Sequence, residues 1–141
     1  MNGRGKTSLF LMELLIAITV FAVCAAVCTA IFTDAFLTAK DAGDLNYALI
    51  AAKNGAETYK TVKSPEETAA VLGGGALGPG SAAVYYDGSW QVCGEPDAAY
   101  VLRLNAGLSA APPFLCALSV EKITGEEIIA FTVAAGGGSA R

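Results

Sequence analysis

The chain has 141 residues, of which 54% are hydrophobic and 16% are charged, and its mean hydropathy is +0.51. This apolar composition excludes an ordinary soluble domain, and the length excludes a large multidomain enzyme. The chain has no histidine, a net charge of −4 and no run among its nine lysines and arginines. It therefore lacks the commonest acid–base group and the basic surface of a nucleic-acid-binding protein, and we expect no cofactor and no nucleic-acid partner.

Most of the apolar excess lies in residues 9–32, where all but three of the 24 residues are apolar. A helix needs about 20 apolar residues to cross the core of a bilayer, so this segment is predicted to be a transmembrane helix. Residues 1–8 form a short basic leader that contains Arg4 and Lys6. By the positive-inside rule, we expect a cytoplasmic N-terminus and a C-terminal domain beyond the cytoplasmic membrane.

The helix is predicted to continue through residues 33–63 as an amphipathic segment, because helix-forming residues persist and the first proline is Pro65. Apolar residues recur at spacings of three and four, which indicates one buried stripe. The residues predicted to form this stripe are Leu45, Leu49, Ala52, Ala56 and Tyr59.

A short second helix is predicted next, because Ser64, Pro65 and Glu67 match the capping-box pattern, and we expect it to end by Leu72. The glycine-rich residues 73–80 are predicted to be a flexible loop. Strands are then predicted over residues 84–86, 90–92, 100–104, 114–120 and 128–133, with tight turns at Asp87-Gly88 and Thr124-Gly125. Residues 134–140 are predicted to be a frayed tail.

These elements predict an α+β fold, in which a long N-terminal helix with a membrane half and an amphipathic half packs on a small antiparallel β-sheet. The predicted organisation is a leader at 1–8, a transmembrane helix at 9–32, an amphipathic helix at 33–63, and a short helix, loop and sheet at 64–141.

The four cysteines fall into two pairs without metal-ligand spacing. Cys24 and Cys28 lie in the apolar segment and are interpreted as small apolar residues. Cys93 and Cys116 lie in the distal domain, and Cys116 is on a predicted core face. Because exported domains of this size often gain a few kcal/mol from a disulfide, we predict that Cys93 and Cys116 are bonded.

No catalytic constellation is apparent among the remaining polar and aromatic residues. The adjacent carboxylates at 66–67 and 126–127 are close to turns and are expected to be solvated. An aromatic cluster is expected to pack within the sheet rather than bind a ligand. Its predicted members are Tyr85, Tyr86, Trp90 and Tyr100.

Glu13 is the residue of greatest functional interest, because it is an ionisable group near the start of the apolar run. A charged side chain costs about 2–3 kcal/mol at bilayer depth on insertion scales, and less near the interface. Such a residue usually has a partner, so we expect Glu13 to have one.

Residues 8–17, with the sequence SLFLMELLIA, follow a basic leader and precede a long helix and a small sheet. This arrangement resembles the type IV pilin and pseudopilin family, whose motif has a small residue, a hydrophobic residue and a glutamate at the fifth mature position. The resemblance implies that a prepilin peptidase cuts between Ser8 and Leu9, that Leu9 is N-methylated, and that Glu13 acts in assembly with other pilin or pseudopilin subunits. The chain departs from the family at Ser8, where glycine is usual.

The resemblance favours a structural subunit of a type IV pilus or type II secretion-type filament, with no catalysis of its own. The alternative is a signal-anchored, single-pass membrane protein whose extracytoplasmic domain binds a ligand or partner. Self-association through the apolar helices distinguishes the two hypotheses. A cleaved secretory signal is less favoured, because Glu13 interrupts the apolar run and the run is longer than the usual ~7–15 residues.

Overall fold

The computed structural model describes residues 2–107 and 112–136. Its helices and strands are α1 (Asn2–Val62), α2 (Pro65–Leu72), β1 (Gly75–Gly78), β2 (Ser81–Tyr86), β3 (Tyr100–Ala106), β4 (Phe114–Lys122) and β5 (Glu127–Ala135), with a short 3-10 helix at Glu95–Asp97. The five strands are antiparallel and follow the order β1-β2-β3-β4-β5. The predicted α+β fold, with a long N-terminal helix packed on an antiparallel sheet, is confirmed.

The chain divides into two compact units, Met1–Ala42 and Gly43–Arg141. The first unit contains the apolar part of α1. The second contains the rest of α1 together with α2 and the sheet, and all of the buried hydrophobic core lies within it.

The distal part of α1 packs on the sheet through small residues, together with Tyr59 at its end. Ala52, Ala56 and Tyr59 are buried, as predicted, whereas Leu45 and Leu49 are 47% and 48% exposed and were wrongly included in the stripe. Ala48 and Ala51 are buried instead. The reason is the close approach of the helix to the sheet, which leaves room for alanine and glycine but not for leucine on the facing side.

Gly55 shows how close this approach is. A Cβ atom on Gly55 would lie 3.1 Å from Cδ2 of Leu118 and 3.2 Å from Cδ2 of Leu102. Both leucines are fully buried on the sheet, so their methyl groups have little freedom to move away. The helix–sheet spacing therefore depends on a position without a side chain.

Helix α2 begins and ends where its capping pattern predicts. The Ser64 hydroxyl accepts a hydrogen bond from the Glu67 N–H at 3.5 Å, Pro65 occupies the first turn, and Gly73 ends the helix with φ of 91°. A residue with positive φ after the last turn is a common helix stop, because glycine adopts that conformation without steric cost.

Glu66 connects α2 to the turn between β1 and β2, which corrects the expectation that it is simply solvated. Its carboxylate accepts the Gly80 N–H at 2.7 Å and the Ser64 hydroxyl at 2.9 Å. Hydrogen bonds from its own backbone N–H, from the Gly80 N–H and from Ser64 lower the pKa of Glu66, because they favour the charged form.

The glycine-rich segment is not a flexible loop, because residues 75–78 form the edge strand β1. Gly75 is paired with Ala83 and Gly78 with Ser81, with a register shift between them. Just before the strand, a Cβ atom on Gly74 would collide with the Ala83 carbonyl oxygen. The glycine that suggested a loop is thus needed for the close approach of this segment to β2.

The second arm of the predicted 84–92 hairpin does not form a strand, and β2 pairs with β1 and β3. Only an isolated bridge joins Tyr86 to Val92. The Asp87 carboxylate accepts the N–H groups of Ser89 at 2.8 Å and Gln91 at 3.0 Å, which makes a wider turn than a two-residue hairpin loop. Trp90 has φ of 60° within this turn.

The last three strands are confirmed and extend beyond their predicted limits. The turn at Thr124-Gly125 is closed by a 2.8 Å hydrogen bond from the Lys122 N–H to the Glu126 carbonyl, and Gly125 has φ of 98°. Strand β5 continues to Ala135, so the predicted tail begins later than residue 134, and its residues 137–140 lie outside the described residues.

Candidate membrane segment and assembly site

The apolar part of α1 is exposed on all sides. Its most apolar 18-residue window has a mean hydropathy of 2.7 and is 0% buried, and α1 is the only helix in the described ranges that is long and apolar enough to cross a membrane. Consecutive residues of a helix point in directions about 100° apart, yet Leu9, Phe10, Leu11 and Met12 are all more than half exposed. A helix that is apolar all round requires a nonaqueous environment, either lipid or other protein.

The hydroxyl groups of this segment already have partners within the helix. Thr19 donates to the Leu15 carbonyl at 2.8 Å, and Thr29 donates to the Ala25 carbonyl at 2.9 Å. Glu13 is the only other residue in 9–32 that is not apolar. Within residues 9–32, Glu13 is therefore the one polar side chain that has no hydrogen-bond partner in the helix.

Glu13 has no hydrogen-bond or ion-pair partner among the residues that the structure describes. The positions one turn away on the same helix face include Leu9 and Ala17, which are apolar. An ionised carboxylate surrounded by apolar side chains is costly unless a cation or hydrogen-bond donor satisfies it. The chain thus has an ionisable group on this segment without a partner among the described residues.

Ser8 and Leu9 precede Glu13 within the same exposed stretch of α1. Both residues are in helical conformation, and the Leu9 side chain is 70% exposed. Four residues separate Leu9 from Glu13, which corresponds to about 6 Å of helix rise. The structure therefore brings the three residues selected from the sequence within two turns of one helix.

The predicted disulfide between Cys93 and Cys116 is not formed, because both residues are free thiols in the structure. The Cys93 N–H donates to the Tyr85 carbonyl, and Tyr85 is paired with Val101, whereas Cys116 is paired with Ala106. Five residues of β3 separate these positions, or about 17 Å along the strand. A disulfide needs Cα atoms within about 7 Å, so the register excludes the bond.

Burial also makes Cys116 an unreactive thiol. Cys116 is fully buried, and burial raises its pKa to about 11. The thiolate, which is the reactive form, is therefore scarce at neutral pH. Cys24 and Cys28 are exposed in the apolar part of α1.

The aromatic cluster packs between the distal part of α1 and the sheet, whereas the sequence predicted packing within the sheet, and its membership also differs. The Trp90 ring stacks on Tyr100 at a centroid distance of 4.0 Å and on Tyr47 at 6.0 Å, and it makes a tilted contact with Tyr86 at 5.9 Å. Tyr47, from α1, was missed because its spacing does not match the predicted stripe. Tyr85 takes part in none of the ring contacts described.

Asp44 adds a polar contact beside this cluster. Burial, a hydrogen bond with Asp44 and the negative charge of Asp44 raise the pKa of Tyr100, because each disfavours the ionised phenol. The arrangement joins α1 to β3 and leaves the stacked faces of Trp90 and Tyr100 in contact with each other, without space for a ligand between them.

Comparisons with family models, curated proteins and solved structures give no match for this chain.

Proposed function

We propose that this chain is a pilin-like or pseudopilin-like structural subunit of a type IV pilus or a type II secretion-type filament. In this proposal residues 9–32 hold the chain in the cytoplasmic membrane and also assemble it with other subunits, and no catalysis is involved. The observation that carries the proposal is Glu13, an ionisable group without a described partner on a helix segment that is apolar on every side.

The partner we propose for Glu13 is the N-terminal amine of a neighbouring subunit. Cleavage by a prepilin peptidase between Ser8 and Leu9 creates an amino group on Leu9, which is positive at neutral pH whether or not it carries one methyl group. When an incoming subunit places this amine beside Glu13 of its neighbour, both charges are neutralised in an apolar setting.

This pairing also sets the register between subunits. If one helix slips by a turn along its neighbour, the carboxylate loses its partner in a low-dielectric environment, at a cost of several kcal/mol. Apolar contacts alone do not select a register in this way, because lipid and apolar side chains solvate a leucine-rich helix about equally well. Glu13 therefore provides specificity, while the apolar residues provide membrane residence.

The deciding experiment compares assembly of Glu13→Gln with that of the unaltered chain at matched abundance in the membrane. Glutamine keeps the size of the side chain but removes its charge, so we expect insertion to be unchanged or improved. Crosslinking or co-purification with partner subunits should fall at least about tenfold, which corresponds to the loss of roughly 1.4 kcal/mol or more.

Glu57→Gln is the matched control, because Glu57 lies on the same helix, is exposed, and already pairs with Lys60 at 3.2 Å. This substitution should leave assembly unchanged. Equal assembly of the Glu13→Gln variant and the unaltered chain would reject the proposed role of Glu13. That outcome would favour a signal-anchored protein with a partner-binding extracytoplasmic domain.

The intact mass of the membrane-extracted chain tests the processing step separately. Loss of residues 1–8 together with the gain of one methyl group is the expected result. Because the family usually has glycine where this chain has Ser8, we expect Ser8→Gly to increase the processed fraction. An intact mass with residues 1–8 retained would contradict the processing step.

A further inference from the structure

Two carboxylates limit the apolar part of α1, and both lie within the first compact unit of the chain. Glu13 is near the beginning of this part and Asp34 is near its end. The 20 residues between them, 14–33, contain no charged side chain. The longest uncharged stretch of α1 is therefore 14–33, which begins and ends later than the predicted membrane segment 9–32.

The three threonines in residues 14–33 each donate a hydrogen bond to the carbonyl group four residues earlier in the helix. The distances are 2.8 Å for Thr19, 2.9 Å for Thr29 and 3.0 Å for Thr33. Hydrocarbon offers no water for hydrogen bonds, so a polar side chain there needs a partner within the protein. All three hydroxyl groups of this stretch meet that requirement.

Asp34 does not meet it, because it has no hydrogen-bond or ion-pair partner in the ranges that the structure describes. Ile31 and Leu37, three residues before and after it, are apolar and 62% and 54% exposed. An unpaired carboxylate is stable in water or among lipid headgroups but costly in hydrocarbon. Before any assembly, the surfaces of a bilayer are therefore the favoured positions for both Asp34 and Glu13.

The distance between the two carboxylates along the helix matches the thickness of a bilayer core. Asp34 follows Glu13 by 21 residues, which corresponds to about 32 Å of helix rise. The hydrocarbon core of a bilayer is about 30 Å thick, and membrane helices tilt by about 20° on average. With that tilt, Glu13 and Asp34 lie at opposite surfaces of one hydrocarbon core.

We propose that Asp34 fixes the depth of α1 in the membrane, so that residues 14–33 occupy the hydrocarbon core and Glu13 lies at the opposite surface. This inference rests on the part of the proposed function that places α1 in a membrane, but not on filament assembly. The partner of Asp34 is the headgroup layer with its water. Movement of the helix along the membrane normal in either direction brings one of the two carboxylates into hydrocarbon, which opposes the movement.

The sequence after Asp34 shows why its charge is needed to define the depth. The five residues between Asp34 and Lys40 carry no charge, and Phe36 and Leu37 among them are 69% and 54% exposed. Without the carboxylate, the uncharged stretch would extend over residues 14–39. That length exceeds the thickness of a hydrocarbon core, so the helix could tilt or slide without burying a charge.

The same depth gives Glu13 two environments in the proposed function. In a membrane-resident chain before assembly, residues 9–12 lie among headgroups and the Glu13 carboxylate is hydrated. The carboxylate enters an apolar setting only when a neighbouring subunit supplies its amine. Insertion of the single chain therefore does not require Glu13 to be buried without a partner.

Cysteine labelling of the full chain in phosphatidylcholine vesicles tests the depth. N-ethylmaleimide reacts with the thiolate, and a thiol in hydrocarbon stays protonated and unreactive. Each variant has one reactive cysteine besides the buried Cys116, with the other native cysteines replaced by alanine, and mass spectrometry measures the labelling of each site. The substituted positions lie outside the hydrophobic core of the distal domain, so its fold should be retained.

Phe10→Cys distinguishes the register 14–33 from the register 9–32. The native Cys24, near the midpoint between the two carboxylates, is the protected reference. We expect both Phe10→Cys and Leu37→Cys to react at least about tenfold faster than Cys24. Reaction of Phe10→Cys as slow as that of Cys24 would overturn the proposed register.

Asp34→Leu tests the role of the carboxylate. In the Leu37→Cys background this substitution should lower the labelling rate of residue 37 at least about fivefold, because the uncharged stretch then continues past it. Asp41→Leu is the matched control, since it makes the same change on the same helix beyond Lys40, and it should leave the rate unchanged. An unchanged rate in Asp34→Leu would overturn the role of Asp34.

The labelling pattern also separates this proposal from the proposed function. Rapid labelling at every position, including Cys24, would overturn both the depth and the membrane residence of α1. Protection of Cys24 with rapid labelling of Phe10→Cys and Leu37→Cys would support the depth even if Glu13→Gln assembles as well as the unaltered chain.

Discussion

The two parts of α1 have the same secondary structure but opposite relations to their surroundings. In the proximal part, side chains such as Phe21 and Phe32 are 75% and 76% exposed, and the most apolar window is 0% buried. In the distal part, Ala48 and Ala52 are fully buried and Tyr59 is 1% exposed. The part richer in large apolar residues makes no core of its own, whereas the part rich in alanine packs on a sheet.

This contrast shows that hydrophobicity and packing are separate properties of a helix. Burial against a sheet requires close approach, which small residues permit, and the sheet supplies the large side chains, such as Leu102 and Leu118. A membrane segment needs only a low transfer free energy into an apolar medium, for which large residues on every side are favourable. The same chain meets both requirements by changing side-chain size along one helix.

The largest expected difference between the two parts comes from truncating an aromatic side chain in each. Tyr59→Ala should reduce the free energy of unfolding of the distal domain by about 4 kcal/mol, because it empties a buried site. Phe21→Ala should change it by less than about 0.5 kcal/mol, because Phe21 is exposed in the structure. Denaturant melts in a single detergent measure both, and similar losses would break the contrast.

Valine substitutions at two glycines give a smaller effect. Gly55→Val should destabilise the domain by about 2–3 kcal/mol, since even its Cβ would be crowded by Leu102 and Leu118. At Gly43 no neighbouring atom lies within 4 Å of the new Cβ. The free energy of unfolding of Gly43→Val should therefore be within about 0.5 kcal/mol of that of the unaltered chain. The comparison uses chemical melts monitored by circular dichroism. A tolerated Gly55→Val would show that the helix–sheet spacing is adaptable.

The smallest expected effect on stability comes from replacing a carboxylate. It extends the comparison of the two regions from apolar side chains to polar groups. Glu66 has partners inside the fold, unlike Glu13, and we expect Glu66→Gln to lose about 0.5–1 kcal/mol of stability at pH 7. Because folding lowers the pKa of Glu66, its charge stabilises the fold above the pKa of the unfolded state, and this contribution is lost as pH falls through the lower folded pKa.

The difference in stability between the unaltered chain and Glu66→Gln should therefore be constant near neutral pH and shrink below about pH 4. Thermal melts at several pH values measure it. Glu67→Gln is the control, since its exposed side chain accepts no hydrogen bond from any residue in the described ranges. A pH-independent difference for Glu66→Gln would contradict the role of its charge.

Features that depend on local pattern could be predicted from the sequence. The serine–proline cap of α2 and the alternation in β4 and β5 reflect interactions between neighbouring residues, and each appears in the structure. The apolar segment was identified from its length and composition alone. For the candidate site, the sequence supplies the identity of Glu13, and the structure adds that none of the described residues pairs with it.

Features that depend on tertiary distance could not be predicted. Leu45 and Ala52 are seven residues apart, so the sequence pattern predicts the same burial for both. In the structure the sheet buries Ala52 but not Leu45, which the spacing alone does not reveal. Gly74, just before β1, suggested a loop because the sequence does not show that a side chain at this position would clash with the neighbouring strand β2. The separation of Cys93 from Cys116 likewise depends on strand register, which spacing along the chain does not encode.

The stacking of Trp90 gives the molecule an intrinsic optical reporter. Trp90 is the single tryptophan of the chain, and its indole is in contact with Tyr47 of α1 and Tyr100 of β3. The indole Nε1 is buried and has no hydrogen-bond partner among the described residues, so separation of helix and sheet would expose it to water. Its emission wavelength therefore reports on this aromatic cluster without any added label, and we expect a shift to the red when the distal helix leaves the sheet.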